Sequence, residues 1–195
     1  MKKILIFAVL AMLAVSASAQ KNFTPELVVD KVEKERRSVI TNEANLRDRW
    51  PQGTPILATL GLIAREESRI YLLSIKLPEL HAFALPKGGV MLIKLNSGDV
   101  IELEQSLDEV DSKDYVGKYD STTKIRLHYN RGNYRIKRSQ LEAIAQHGVA
   151  KVRIEKTNEY VDLEYKKEKW QPVVAGWLGV IDEALAQKKD IYSDF

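Results

Sequence analysis

The chain has 195 residues, no cysteine, 45% hydrophobic residues and a formal charge of +3. That length fits one domain able to bury a core without cross-links. The missing cysteines exclude disulfides, thiol catalysis and zinc thiolate sites.

At the N-terminus Lys2 and Lys3 precede an apolar run from Ile4 to Val15, then Ala17-Ser18-Ala19 before Gln20. Basic start, apolar middle and small-residue cleavage site are the parts of a secretory signal peptide. The run is shorter than the roughly 18 to 20 apolar residues of a membrane helix, and no later segment reaches that length. The expectation is a signal peptide at 1–19 and an exported, periplasmic or secreted product with no transmembrane segment. Without a lipobox cysteine it is not lipid-anchored. Cleavage takes two of the 30 basic residues against 27 acidic ones, so the formal charge falls from +3 to +1 and charge steering by the whole molecule is weak.

Residues 20–195 read as a single α+β domain. Thr24-Pro25-Glu26 has the order of an N-cap, a first-turn proline and an acid, followed by Leu27, Val28 and Val32, so 20–50 is expected to be a peripheral N-terminal helical segment. Trp50-Pro51-Gln52-Gly53 marks a turn. Ile56 to Arg65 and Ile70 to Leu77 form a hairpin, the second strand with Tyr71, Leu73, Ile75 and Leu77 on one face and covered on both sides; Pro78 ends it. Pro86-Lys87-Gly88-Gly89 is a turn into the clearest hairpin. There a three-residue loop at Asn96-Ser97-Gly98 sets Ile93 against Ile101 and Met91 against Leu103, with Gly98 at positive φ.

Ser106 to Ser121 is acidic and reads as a long surface loop. Ile125, Leu127 and Tyr129 are expected to meet Tyr134 and Ile136 across a turn at Asn130-Arg131-Gly132-Asn133. Ser139-Gln140-Leu141-Glu142 is a capping box for a short helix ending at Gly148. Val152 and Ile154 pair through a turn at 157–159 with Val161 and Leu163. Pro172 opens a C-terminal helix with the stripe Val174, Trp177, Leu178, Ile181 and Leu185, to be packed on one sheet face. The fold class is α+β, with antiparallel sheets built from successive hairpins, a short capped helix and a C-terminal helix.

Leu92-Ile93-Lys94-Leu95 with Gly98 and Ile101, Tyr134-Arg135-Ile136 leading into Leu141, and Lys151-Val152-Arg153-Ile154 after Gly148 together resemble small secreted, uncharacterised proteins of the Bacteroidetes type. The resemblance covers about half of residues 20–195. It implies no activity and no catalytic residue.

Motifs for chemistry are sparse. Ser97 lies in a turn without a nucleophile elbow. His81, His128 and His147 lack ligand spacing, and Asp108, Asp111 and Asp114 lack the alternation and glycine of a calcium loop. No metal or other cofactor is expected. Lys87-Gly88-Gly89 lacks the spacing of a phosphate loop. One stretch is biased: Lys124, Arg126, Arg131, Arg135, Lys137 and Arg138 come without an acid, and a hairpin would gather them on one basic face. Such a face attracts an anionic glycan or lipid surface unless the acidic 106–121 segment covers it. Export disfavours nucleic acid. The reading is an exported, non-catalytic binding or envelope-associated structural module. The alternatives are a glycan-directed hydrolase whose carboxylates meet on folding, and an inhibitor or chaperone-like partner of another exported protein, engaged through a strand edge.

Overall fold

The computed structural model describes residues 23–47, 56–79, 85–106, 113–118, 124–157, 159–165 and 169–187. The signal-peptide expectation lies outside them. Eleven described strands form two antiparallel sheets, with two helices. The expected α+β class of hairpins, short helix and C-terminal helix is what the chain adopts.

The larger sheet contains β1 (Leu27–Glu33), β2 (Arg36–Thr41), β3 (Ala44–Arg47), β4 (Ile56–Arg65), β5 (Ser68–Glu79), β8 (Lys113–Lys118) and β9 (Lys124–Ile136). Its order is β1-β2-β4-β5-β9-β8, and β3 shares an edge of β4 with β2. The smaller sheet, β11-β10-β6-β7, contains β6 (Val90–Leu95), β7 (Val100–Glu104), β10 (Val149–Glu155) and β11 (Tyr160–Glu164). Helix α1 (Arg138–His147) joins β9 to β10, and α2 (Trp170–Ala186) follows β11. Alternate residues of both sheets and the apolar stripes of both helices, Leu141 and Ile144 with Trp170, Val174, Trp177 and Ile181, enter one core. Helix α2 packs on α1 and on β1 to β3.

The hairpin of β6 and β7 has the expected register, Ile93 with Ile101 and Met91 with Leu103. The Leu95 N–H donates to the Asp99 carbonyl at 2.9 Å and closes the loop Asn96-Ser97-Gly98. Gly98 has φ +99°, as the loop requires. The expected hairpin of β10 and β11 also forms, and its register sets Val152 against Leu163 and Ile154 against Val161.

Several expectations are corrected. Residues 27–47 form three strands and no helix. Lys34, at φ 53°, turns β1 back onto β2. Charged residues pair across the two strands, Arg36 with Glu33 and Arg37 with Asp30. Second, the acidic segment contains β8, which pairs with β9 from Lys113–Tyr129 to Lys118–Lys124. Third, β5 continues through Pro78 to Glu79, beyond Lys76, its last residue paired with β4. Its second face is only partly covered, with Ile70 exposed and Leu72 half-buried.

The largest correction is β9. No turn interrupts it, and its register against β5 is continuous from Tyr71–Ile136 to Glu79–His128. The residues that read as a turn are used otherwise. Asn130 is buried and donates Nδ2–H to the Leu77 carbonyl at 3.2 Å. Gly132 faces Ile75, and a Cβ on it would lie 2.7 Å from the Tyr134 ring. The Asn133 N–H donates to the Gln105 side-chain oxygen at 2.6 Å, and its carbonyl accepts the Ser106 N–H at 2.7 Å. Gln105, 1% exposed, thereby fastens the end of β7 to the edge of β9 and links the two sheets.

Helix α1 is capped by a neighbouring residue of the expected box. The Lys137 N–H donates to Gln140 Oε1 at 2.8 Å, and Ser139 lies inside the first turn. Gly148 ends the helix at φ +67°.

Candidate functional site

A continuous β9 disperses the expected basic face. Successive residues of a strand point to opposite faces, so Arg131 and Arg135 stand on the face of β9 opposite Tyr134 and Ile136. The side chains of Lys124 and Arg126 lie outside the described residues, as do residues 107–112 of the proposed acidic cover. Lys137 is the N-cap of α1 and Arg138 its first residue. Of the four cations whose side chains are described, Arg131 and Arg135 share one face of β9, whereas Lys137 and Arg138 stand at the start of α1.

Three of them, Arg135, Lys137 and Arg138, line a cleft of about 860 Å³ where the ends of β5 and β9 and the start of α1 meet β7. Two further cations line it, Arg69 from the start of β5 and Lys87 from the turn at 86–89. Strand pairing explains the gathering: Leu72 lies opposite Arg135 and Tyr71 opposite Ile136, so the first residues of β5 adjoin the last of β9. Lys87 is brought in because the Gly88 N–H donates to the Gln105 carbonyl at 3.1 Å and the Gln105 N–H to the Gly89 carbonyl at 2.9 Å. Neither Arg69 nor Lys87 has a basic neighbour in sequence to flag it.

The cations differ in role. Arg138 is a clamp between helices: its guanidinium donates to both carboxylate oxygens of Asp182, at 2.7 and 2.8 Å, and to Glu142 at 2.8 Å. The hydrogen bond with Asp182 is the first cause that raises its pKa, with Glu142 assisting against burial. Arg69, Lys87, Arg135 and Lys137 are exposed. Among the described residues, no ion pair joins Arg69, Arg135 or Lys137 to a carboxylate. The start of α1 adds positive potential, because its first turn holds no acid.

The cleft also holds Glu102 and Glu104, both exposed. As alternate residues of β7 they stand on the same wall. Glycoside hydrolysis needs an acid and a second carboxylate flanking the bond, and no opposed pair occurs in the cleft among the described residues. Nor, among the described residues, do three His, Asp or Glu side chains converge as metal ligands. Ser97 donates to Asp99 at 2.8 Å in the hairpin loop. His81, Asp108 and Asp111 lie outside the described residues. The arrangement supplies charge, hydrogen bonding and a concave surface.

A second groove, of about 420 Å³, lies on the outer face of the larger sheet, floored by Ile40, Gly61, Ile63 and Leu72. Arg131 lines it, away from the other expected cations. Lys76 is compensated there by Glu43 and Arg36 by Glu33. The cleft is therefore the better candidate site.

Comparison of the chain with protein-family models, with curated proteins and with solved structures finds no match.

Proposed function

We propose that the protein is an exported, non-catalytic binding module whose inter-sheet cleft takes an anionic ligand of the cell envelope. One observation carries this reading: Arg69, Arg135 and Lys137, from separate elements, line one cleft without a carboxylate partner among the described residues. A cleft focuses the potential of its charges, so a few cations attract an anion more strongly there than on a flat surface. Export is supported by Lys2, Lys3, the apolar run and Ala17-Ser18-Ala19.

The test is binding of dextran sulfate to the chain beginning at Gln20. Affinity should fall steeply as salt rises and the Debye length shrinks from about 30 Å at 0.01 M to about 10 Å at 0.1 M. Replacing Arg69, Arg135 and Lys137 with Glu should abolish binding, whereas Arg131→Glu, in the other groove, should leave it. Wild-type affinity in the triple variant would overturn the proposal.

A further inference from the structure

Four cations alone would suit any polyanion, but the cleft's own carboxylates narrow the choice. Glu102 and Glu104, exposed on β7, line the same cleft as Arg69, Lys87, Arg135 and Lys137. Neither makes an ion pair with Arg69, Arg135 or Lys137. A ligand with phosphate or sulfate on every side would bring like charge against this wall. A ligand with an anionic group on one side and hydroxyl groups on the other satisfies both walls.

Ionised carboxylates only accept hydrogen bonds, and they do so strongly from hydroxyls. Guanidinium groups present a planar fork that matches a carboxylate through two parallel N–H···O bonds. Ile70, 38% exposed, adds an apolar contact for the C–H face of a ring. At about 860 Å³, the cleft is near the upper end of the roughly 300–1,000 Å³ typical of ligand sites, larger than a single ion needs.

We infer that the cleft binds an acidic saccharide, a uronate-containing oligosaccharide whose ring carboxylates meet Arg69 and Arg135 and whose hydroxyls donate to Glu102 and Glu104. This rests on the anion-binding reading above.

Calorimetry at 0.1 M salt with four probes tests both: oligogalacturonate, its carboxyl-reduced neutral counterpart, dextran sulfate, and vesicles containing anionic phospholipid. Oligogalacturonate should bind and its reduced form should not. Arg69→Gln with Arg135→Gln should abolish binding. Glu102→Ala with Glu104→Ala should weaken oligogalacturonate binding about tenfold, yet strengthen dextran sulfate binding by removing repulsion. Both Glu side chains are exposed, and an unchanged melting temperature checks that the variants are folded. If the Glu variant strengthens binding of both probes, the carboxylates only repel; the saccharide assignment then fails while the anion site stands. Preference for vesicles over oligogalacturonate also overturns the saccharide assignment. Failure of every anionic probe removes both readings.

Discussion

Gly132→Ala should destabilise the protein although it adds a single methyl group to a strand. A Cβ at this position would lie 2.7 Å from Tyr134 Cε2, 2.9 Å from Leu85 Cδ1 and 3.1 Å from Tyr134 Oη. Tyr134 is 1% exposed and Leu85 3%, so neither can yield into solvent. Overpacking of this kind costs about 1–3 kcal/mol. Removing a glycine from a strand returns roughly 0.5–1 kcal/mol. The net loss is centred on about 1 kcal/mol and reaches at most about 2.5 kcal/mol, a fall of up to roughly 10 °C in melting temperature for a chain of this size. Leu85→Val trims one of the obstructing atoms. In thermal unfolding followed by circular dichroism, the double variant should therefore lose less than the sum of the single losses, by about 0.5–1 kcal/mol. A turn at 130–133 would leave residue 132 uncoupled from Leu85. Additive losses, or Gly132→Ala melting at or above wild type, would refute the packing described for β9.

By contrast, Gly61→Ala should be neutral or stabilising by up to about 1 kcal/mol, because its Cβ would meet only ordinary contacts at 3.7 Å and beyond; a clear loss in the same melt would contradict this. Gly98→Val has free space but φ +99°, so conformational strain alone should cost about 1–3 kcal/mol, and an unchanged melt would reject the loop geometry. Arg37→Ala removes a guanidinium bonded twice to Asp30 and once to the Gln187 carbonyl, all at 2.8 Å; urea unfolding should show a loss of about 2–3 kcal/mol, and a loss below 0.5 kcal/mol would be too small for that role. Asp162 is held well below the usual carboxylate range, first by the Arg153 hydrogen bond and then by Lys151. Its stabilisation is thus present above the unfolded value of about 3.9 and is lost as pH falls below it. Asp162→Asn should flatten the acid limb of melting temperature against pH, and an identical limb would count against the cluster. For export, mass spectrometry of native protein should find an unacylated N-terminus near Gln20; retained Met1 would exclude cleavage.

What could be read from sequence was local. Gly98 and the flanking alternation lie within a few residues, and together they set the β6–β7 register. The stripe from Val174 to Ile181 likewise placed α2. Misreadings arose where distant partners decide. Thr24-Pro25-Glu26 has the chemistry of a helix start, but Asn42 holds it extended by donating to the Thr24 carbonyl at 2.8 Å and accepting the Glu26 N–H at 3.2 Å. Pro25 meanwhile packs against α2 at Gly176, where a Cβ would come within 2.8 Å of the proline ring. Asn-Arg-Gly-Asn is turn-like in composition, yet Leu77, Ser74 and Gln105 determine its conformation. Three of the cleft's five cations, Arg135, Lys137 and Arg138, belong to the basic run. Arg69 and Lys87 lie outside it, and only the pairing of β5 with β9 and the contact of the 86–89 turn with Gln105 bring them into the cleft.

The central place of β9 has a consequence for the order of folding. Its bonds reach far back along the chain, as from Asn133 to Ser74 across 59 residues, and non-local pairings of this kind slow folding because loop entropy is lost before contacts repay it. The β4–β5 and β6–β7 hairpins can close locally, but until β9 arrives the outer edge of β5 has no partner and the sheets are not joined. During synthesis or refolding, that open edge is a place where two chains can pair in error. A ribosome that releases the chain in order therefore leaves both early hairpins waiting for the same late strand.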